Sequence, residues 1–329
     1  MKYVILVLPL AAVVVILALV SFRQPTGGLI SPLGQVEEKE RVYDRYSFEA
    51  LAGQDFSGTV IKQERVIKEE EGFTSWLFSY LVEGKKVSGM LNLPVGGGPF
   101  PVVVMLRGYA DEEIYFTGLG TRKAAGVFAQ NGFVTLAPDF LGFGESDQAS
   151  GDILEVRFHK PVEVLALLAG LSSLPQADLA KVFLWGHSNG GQIALSVLEI
   201  SANDYPTSLW APVTKGFPES VLTYIQDPSV AESEGGRKVM AAIESFLADY
   251  DPAKYSVDNY WGRIKAPLQV QQGLADELVE VGWSDDFVKR MEAEGARVKY
   301  YRYPGNDHNL SRDWETVVER DLAFFKSFL

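Results

Sequence analysis

Ser188 stands in Gly186-His187-Ser188-Asn189-Gly190-Gly191, behind the apolar run Val182-Phe183-Leu184-Trp185. A helical pattern of Ile193, Ala194, Leu195, Val197 and Leu198 follows it. A strand, a tight turn with serine at its apex, and a helix form a nucleophile elbow. The glycines suit that turn because a Cβ beside the strained serine would strike the adjoining strand and helix. The helix N-terminus beyond it favours a developing negative charge. A serine so placed attacks a carbonyl carbon if a base takes its proton and a carboxylate holds that base.

The chain has 3 histidines: His159, His187 and His308. His308 lies in Pro304-Gly305-Asn306-Asp307-His308, just after Val298–Tyr303, the expected last strand. It is the expected base. Asp276 is the expected acid, in Gly273-Leu274-Ala275-Asp276-Glu277 after Pro267–Gln272, with Glu277 as the near alternative. Asp285 and Asp286 read as helix-start charges. The order Ser188, Asp276, His308 is the order this architecture uses. His187 adjoins the nucleophile and should point away from its hydroxyl. His159 precedes an expected helix with no strand end beside it, and reads as structural. An oxyanion needs two amide donors. The N–H of Asn189 is one candidate, and that of Tyr109, after Gly108 and the run Val102–Leu106, is the other.

These loops require strand ends at one edge of a sheet. Strands are expected at Thr74–Val82 and Val87–Leu93, paired as a hairpin, and then at Val102–Leu106, Phe133–Ala137, Val182–Trp185, Ser208–Pro212, Pro267–Gln272 and Val298–Tyr303. Helices alternate with them near 121–130, 161–171, 284–294 and 316–328. This pattern predicts an α/β fold: a mostly parallel, eight-stranded sheet with an antiparallel start and helices on both faces. Residues 214–264 interrupt the alternation with one amphipathic helix, Val239–Leu247, and read as a small helical cap.

Composition narrows the function. A net charge of −13 makes nucleic acid an improbable partner. With no cysteine, disulfides, thiolate metal sites and a cysteine nucleophile are excluded. So few histidines argue against a histidine metal centre. Residues 3–20 carry no charge. As a helix they would span roughly 27 Å, close to a hydrocarbon core. The poor small-residue pattern around Ala18 and Val20 favours an uncleaved membrane anchor over 1–22 rather than a signal removed by cleavage. The catalytic part would then lie tethered outside the cytoplasm. Residues 23–72 read as a linker and N-terminal extension, in which Lys68-Glu69-Glu70-Glu71 looks like a solvated turn.

The run 73–329 resembles the α/β-hydrolase superfamily, and within it the catalytic domain of the prolyl oligopeptidase family and dienelactone-hydrolase-like esterases. The resemblance rests on Gly98-Pro99-Phe100-Pro101, on Ala137-Pro138-Asp139 with Gly142-x-Gly144-x-Ser146, on the Ser188 elbow, on Ile264-Lys265-Ala266-Pro267 with Gly273-x-x-Asp276, and on Tyr303-Pro304-Gly305 with His308. It implies a serine hydrolase of esters or short peptides, acting through an acyl-enzyme on Ser188 and needing no metal or cofactor. Two positions depart from the family's His-Gly pairs: Arg107-Gly108 and Gln272-Gly273. Arg107 is a candidate contact for an anionic group of the substrate, or a partner of Asp111. Too few residues precede Phe73 for the family's propeller, so its terminal-amine recognition does not carry over. The rival expectation is a non-catalytic binding module on a hydrolase scaffold.

Overall fold

The computed structural model describes residues 41–329. The expected membrane segment at 1–22 and the first part of the linker lie outside them. Among the described residues no helix is long and apolar enough to cross a membrane.

Residues Tyr43–Leu329 form one compact unit around a single sheet. Its strands are β1 (Lys62–Glu70), β2 (Phe73–Val82), β3 (Lys85–Pro94), β4 (Phe100–Leu106), β5 (Val134–Pro138), β6 (Ala177–His187), β7 (Thr207–Trp210), β8 (Leu268–Gly273) and β9 (Val298–Tyr303). Their order is β1-β2-β3-β5-β4-β6-β7-β8-β9. The first three strands pair antiparallel, as does β3 with β5, and every pair from β5 through β4 to β9 is parallel. β4 over Val102–Leu106 and β6 over Val182–Gly186 are buried because helices cover both faces, which explains the unbroken apolar sequence of these stretches.

The sheet has nine strands in the described residues, not eight. The extra strand is β1, in the stretch read as linker and solvated turn. All of its residues except Ile67 are exposed, so it carries no alternation. It is held by its ladder to β2, from Lys62 opposite Ser79 to Glu70 opposite Phe73. Its charges blunt an edge that would otherwise recruit further strands. The folded unit therefore begins well before Phe73, with Tyr46, Phe48, Leu51 and Ile61 all buried.

The longer helices and their neighbours are α1 (Phe48–Ala52), α2 (Arg122–Gln130), α3 (Ile153–Gly170), α4 (Asn189–Ser201), α5 (Glu219–Leu222), α6 (Pro228–Ala231), α7 (Glu234–Asp249), α8 (Val281–Ala293) and α9 (Trp314–Lys326). α2 and α9 bury Phe128, Val317, Phe324 and Phe325 on one face with Val103, Met105 and Trp185 of the sheet. α3, α4 and α8 bury Leu165, Ile193 and Phe287 on the other, with Val102, Val104 and Leu184. α3 starts eight residues before its expected position. The Asp152 side chain accepts from the N–H groups of Leu154 and Glu155 and caps it there, while Pro161, which reads as a first-turn residue, sits inside the helix. The stretch 214–264 carries α5, α6 and α7. Phe217 and Phe246 pack edge-on and tilted against Phe158 of α3, which docks this insertion on the core.

Candidate active site

Ser188 sits between β6 and α4 with φ 56° and ψ −122°, a sparsely populated region for a residue with a side chain. The turn is held from both sides. Ser188 N–H donates to the Trp210 carbonyl at 2.9 Å, and its own carbonyl accepts from Val213 N–H at 3.1 Å. The crossing is too close for a side chain at Gly190, where a Cβ would lie 2.0 Å from the Leu106 carbonyl oxygen. The first N–H groups of α4, beginning with Asn189, have no partner within the helix.

The loops after β8 and β9 bring Asp276 and His308 together. His308 Nδ1 lies 3.0 Å from both carboxylate oxygens of Asp276. Both side chains are buried. With Nδ1–H donating to a carboxylate, the ring's lone pair is on Nε2, the nitrogen that can take a proton. Asp276 Oδ1 also accepts from the N–H groups of Leu278 and Val279 at 2.9 Å, and Oδ2 from Gln272 Nε2 at 2.9 Å. Burial alone would raise this carboxyl's pKa. The hydrogen bonds from His308, Val279 and Leu278, with the His308 charge, outweigh it and hold the pKa below its ordinary value. Glu277 is exposed, which removes it as the partner of His308. Asp285 is engaged by the Tyr300 hydroxyl at 2.7 Å.

Gln272 was not singled out beyond its departure from the family pattern. Its amide donates to Asp276, and its oxygen accepts from Ser284 Oγ at 2.8 Å. Gly273 allows the two loops to meet, because a Cβ there would lie 2.4 Å from the Asp307 carbonyl oxygen. Only the type of residue at 272 hinted at this role.

His187 is not a bystander. Its Nε2 lies 3.0 Å from the backbone carbonyl of His308 and donates to it. The two rings lie with centroids 4.7 Å apart. Burial, and then the His308 charge, push the His187 pKa down to about 4. It therefore stays neutral at pH 7, places no second charge beside His308, and ties the nucleophile turn to the base loop.

On the other side of Ser188 the loop after β4 comes into contact. A Cβ on Gly108 would lie 3.0 Å from Ser188 Cβ and 3.6 Å from its Oγ. A side chain here would crowd Ser188, and the following amide is that of Tyr109. Tyr109 is 82% exposed, with its hydroxyl on Asp111 at 2.8 Å.

The structure gives Arg107 a different task from the two expected of it. Arg107 is only 4% exposed. Its guanidinium donates to the carbonyls of Gly108 and Asp139, each at 2.9 Å, and packs over the rings of Phe143 and Tyr115 at 4.1 and 4.6 Å. Neither Asp111 nor open space for a substrate meets it. It fixes the loop that carries Gly108 and Tyr109. His159, on α3, pairs with Glu163 at 3.1 Å and lies 3.5 Å from Glu83, far along the chain from these loops. Among the described residues no group of three or more His, Cys, Asp or Glu is placed to hold a metal ion.

The model of the prolyl oligopeptidase family matches residues 120–329. No curated protein matches the chain by sequence. Among solved structures, the acetyl xylan esterase from Paenibacillus sp. R4 is similar with a TM-score of 0.61 and 18% identity, over 86% of this chain and 92% of that one. Acetyl xylan esterase 1 from Thermoanaerobacterium sp. JW/SL YS485 follows at 0.58 and 15%, over 88% and 94%. Porphyromonas gingivalis dipeptidyl peptidase 4 has a TM-score of 0.58 and 15% identity over 77% of this chain but 35% of that one. At these identities the likenesses speak for the fold.

Proposed function

The chain belongs to the prolyl oligopeptidase family and is a serine hydrolase of ester or peptide bonds; we propose that Ser188, His308 and Asp276 carry its chemistry, with the amides of Asn189 and Tyr109 as oxyanion donors. The observation that carries this reading is the buried His308–Asp276 pair, 3.0 Å apart, held to the Ser188 turn through His187. His308 Nε2 takes the Ser188 proton as Oγ attacks the carbonyl carbon. The negative oxygen of the tetrahedral intermediate receives hydrogen bonds from the two amides. The intermediate collapses, the bond to the leaving group breaks, and the imidazolium protonates that group as it departs. Water, deprotonated by His308, then attacks the acyl-serine. Collapse of the second intermediate releases the acid and returns the proton to Ser188.

A fluorophosphonate probe tests the assignment. Wild type should be labelled covalently and Ser188→Ala should not. A folded wild type that resists the probe would overturn the reading in favour of a binding module. The uncharged run 3–20 supports a membrane-tethered enzyme. Labelled protein should then sediment with membranes and resist carbonate extraction, and release of the label into the soluble fraction would refute the tether.

A further inference from the structure

On the α9 face of the sheet lies a buried carboxylate that the chemistry above does not use. Asp321, in α9, has no exposed surface. Its Oδ2 accepts from the indole N–H groups of Trp185 at 3.1 Å and Trp210 at 2.8 Å. Its Oδ1 accepts from the Gln269 amide at 2.8 Å, and also from Ser208 Oγ and the Gln271 amide. All of these donors are neutral side chains, and each is itself buried. An indole N–H can only donate, so the pocket around Oδ2 is built for an acceptor. Burial raises the Asp321 pKa to about 7, against the lowering effect of these hydrogen bonds. A carboxylate buried among neutral partners costs stability, and apolar residues of similar volume would serve packing as well. Gln269 and Gln271 likewise break the apolar run expected of a buried parallel strand.

The donors lie on three adjacent strands: Trp185 on β6, Ser208 and Trp210 on β7, Gln269 and Gln271 on β8. Gln271 reaches a fourth. Its oxygen accepts from the Tyr303 hydroxyl of β9, and its amide also donates to the Val317 carbonyl of α9 at 3.1 Å. β6, β8 and β9 lead to Ser188, Asp276 and His308 in turn. β7 supplies the Trp210 carbonyl, which accepts from Ser188 N–H at 2.9 Å. Trp210 also stands opposite His187 in the ladder. The His187 ring rests near both indoles, with centroids 6.3 Å from Trp185 and 6.4 Å from Trp210, and it donates to the His308 carbonyl. One carboxylate thus holds together the strands that bear the three candidate catalytic residues.

We propose that Asp321 is a positioning residue for the hydrolytic reaction: its carboxylate fixes the indoles of Trp185 and Trp210, and through them the Ser188 turn and the His187 ring that holds the His308 carbonyl. The role rests on the serine-hydrolase reading above. Without the charge the two indoles lose their common acceptor. The Trp210 backbone then shifts, and Ser188 Oγ and His308 Nε2 lose the alignment that proton transfer needs. Asp321 touches no substrate, so its loss falls on kcat rather than on KM.

Asp321→Asn tests this, since it keeps the shape and removes the charge. In aryl ester hydrolysis at pH 8, above the Asp321 pKa, kcat should fall at least fivefold with KM within twofold of wild type. Labelling by the fluorophosphonate probe should slow by at least the same factor. Trp210→Phe, which deletes one donor, should lower kcat at least threefold at unchanged KM, and it carries the test alone if Asp321→Asn does not fold. The double variant should be no worse than twofold below Asp321→Asn, because both changes act through one contact. Asn92→Ala is the structural control. It removes the buried acceptor of Ser75 Oγ between β2 and β3, and should lower the melting temperature while kcat stays within twofold. With wild type labelled, a smaller fall in kcat in either variant, a loss borne by KM, or losses that multiply in the double variant overturn the positioning role and leave the hydrolase standing. An equal fall in Asn92→Ala overturns it as well. Failure of wild type to label overturns the hydrolase and the positioning role with it.

Discussion

Replacing Asp276 by asparagine removes one charge and leaves the shape of the site almost unchanged. In wild type the carboxylate receives His308 Nδ1–H on both oxygens at 3.0 Å, and the backbone amides of Leu278 and Val279 fix its Oδ1. In Asp276→Asn the amide oxygen stays with those two N–H groups. The NH2 then takes the place of Oδ2, losing the hydrogen bond from Gln272 Nε2; it faces His308 and must donate, so Nδ1 has to accept. The ring's proton moves to Nε2, and the ring can no longer take the Ser188 proton. The charge term has a comparable size. Coulomb's law at a separation of 3.0 Å in an effective dielectric of about 20 gives roughly 5 kcal/mol for the imidazolium that forms during attack. At about 1.4 kcal/mol per factor of ten, that is a loss of the order of ten-thousand-fold in kcat. The assay is hydrolysis of an aryl ester under saturating conditions, with melting temperature followed in parallel. Glu277→Gln is the control, since Glu277 is exposed and should keep activity within twofold. The reasoning is refuted if folded Asp276→Asn retains more than a tenth of wild-type kcat, or if Glu277→Gln falls as far.

Gly108→Ala should lower kcat by about ten- to a hundred-fold with little change in KM, because the new Cβ would lie 3.0 Å from Ser188 Cβ and must displace the amide donor of the following residue; an unchanged kcat would separate this loop from the oxyanion. His187→Phe should leave the His308 carbonyl without its donor and cost about 1–3 kcal/mol of stability together with a fall in kcat, whereas His187→Gln, which can still donate, should recover part of both; equal losses in the two variants would deny the hydrogen bond its role. Lys160→Met should raise stability at pH 7. The Lys160 pKa falls from its ordinary 10.5 to about 8 in the folded chain, through burial and then Arg107 and Arg157, with Glu163 opposing. The native state thus binds this proton more weakly than the unfolded chain. The cost is full below pH 8 and disappears as pH rises through the unfolded value. At about 1.4 kcal/mol per pKa unit, the gain for the variant is roughly 3–4 kcal/mol as an upper bound. Melting temperatures at pH 7 and pH 10 check this, and a difference that is the same at both values would refute it.

The candidate residues at the ends of β4, β6, β8 and β9 were legible in the sequence because each follows a short strand-like run, apolar in β4 and β6, and each loop carries glycine or proline. Local patterning of that kind records which residues end a strand, and the order of the loops along the chain supplied the rest. β1 was not legible. An edge strand buries neither face, so its side chains obey no period, and only its ladder with β2 shows it to be a strand. The early start of α3 was equally hidden, since Pro161 reads as a beginning and the cap at Asp152 is weak as a sequence signal. Side-chain direction was the larger omission. Arg107 looked like a substrate contact and His187 like a spectator, because type and position say nothing about which neighbour a long or planar side chain meets. Packing decided both: Arg107 turned inward to two carbonyls and three rings, and His187 turned to the backbone of His308.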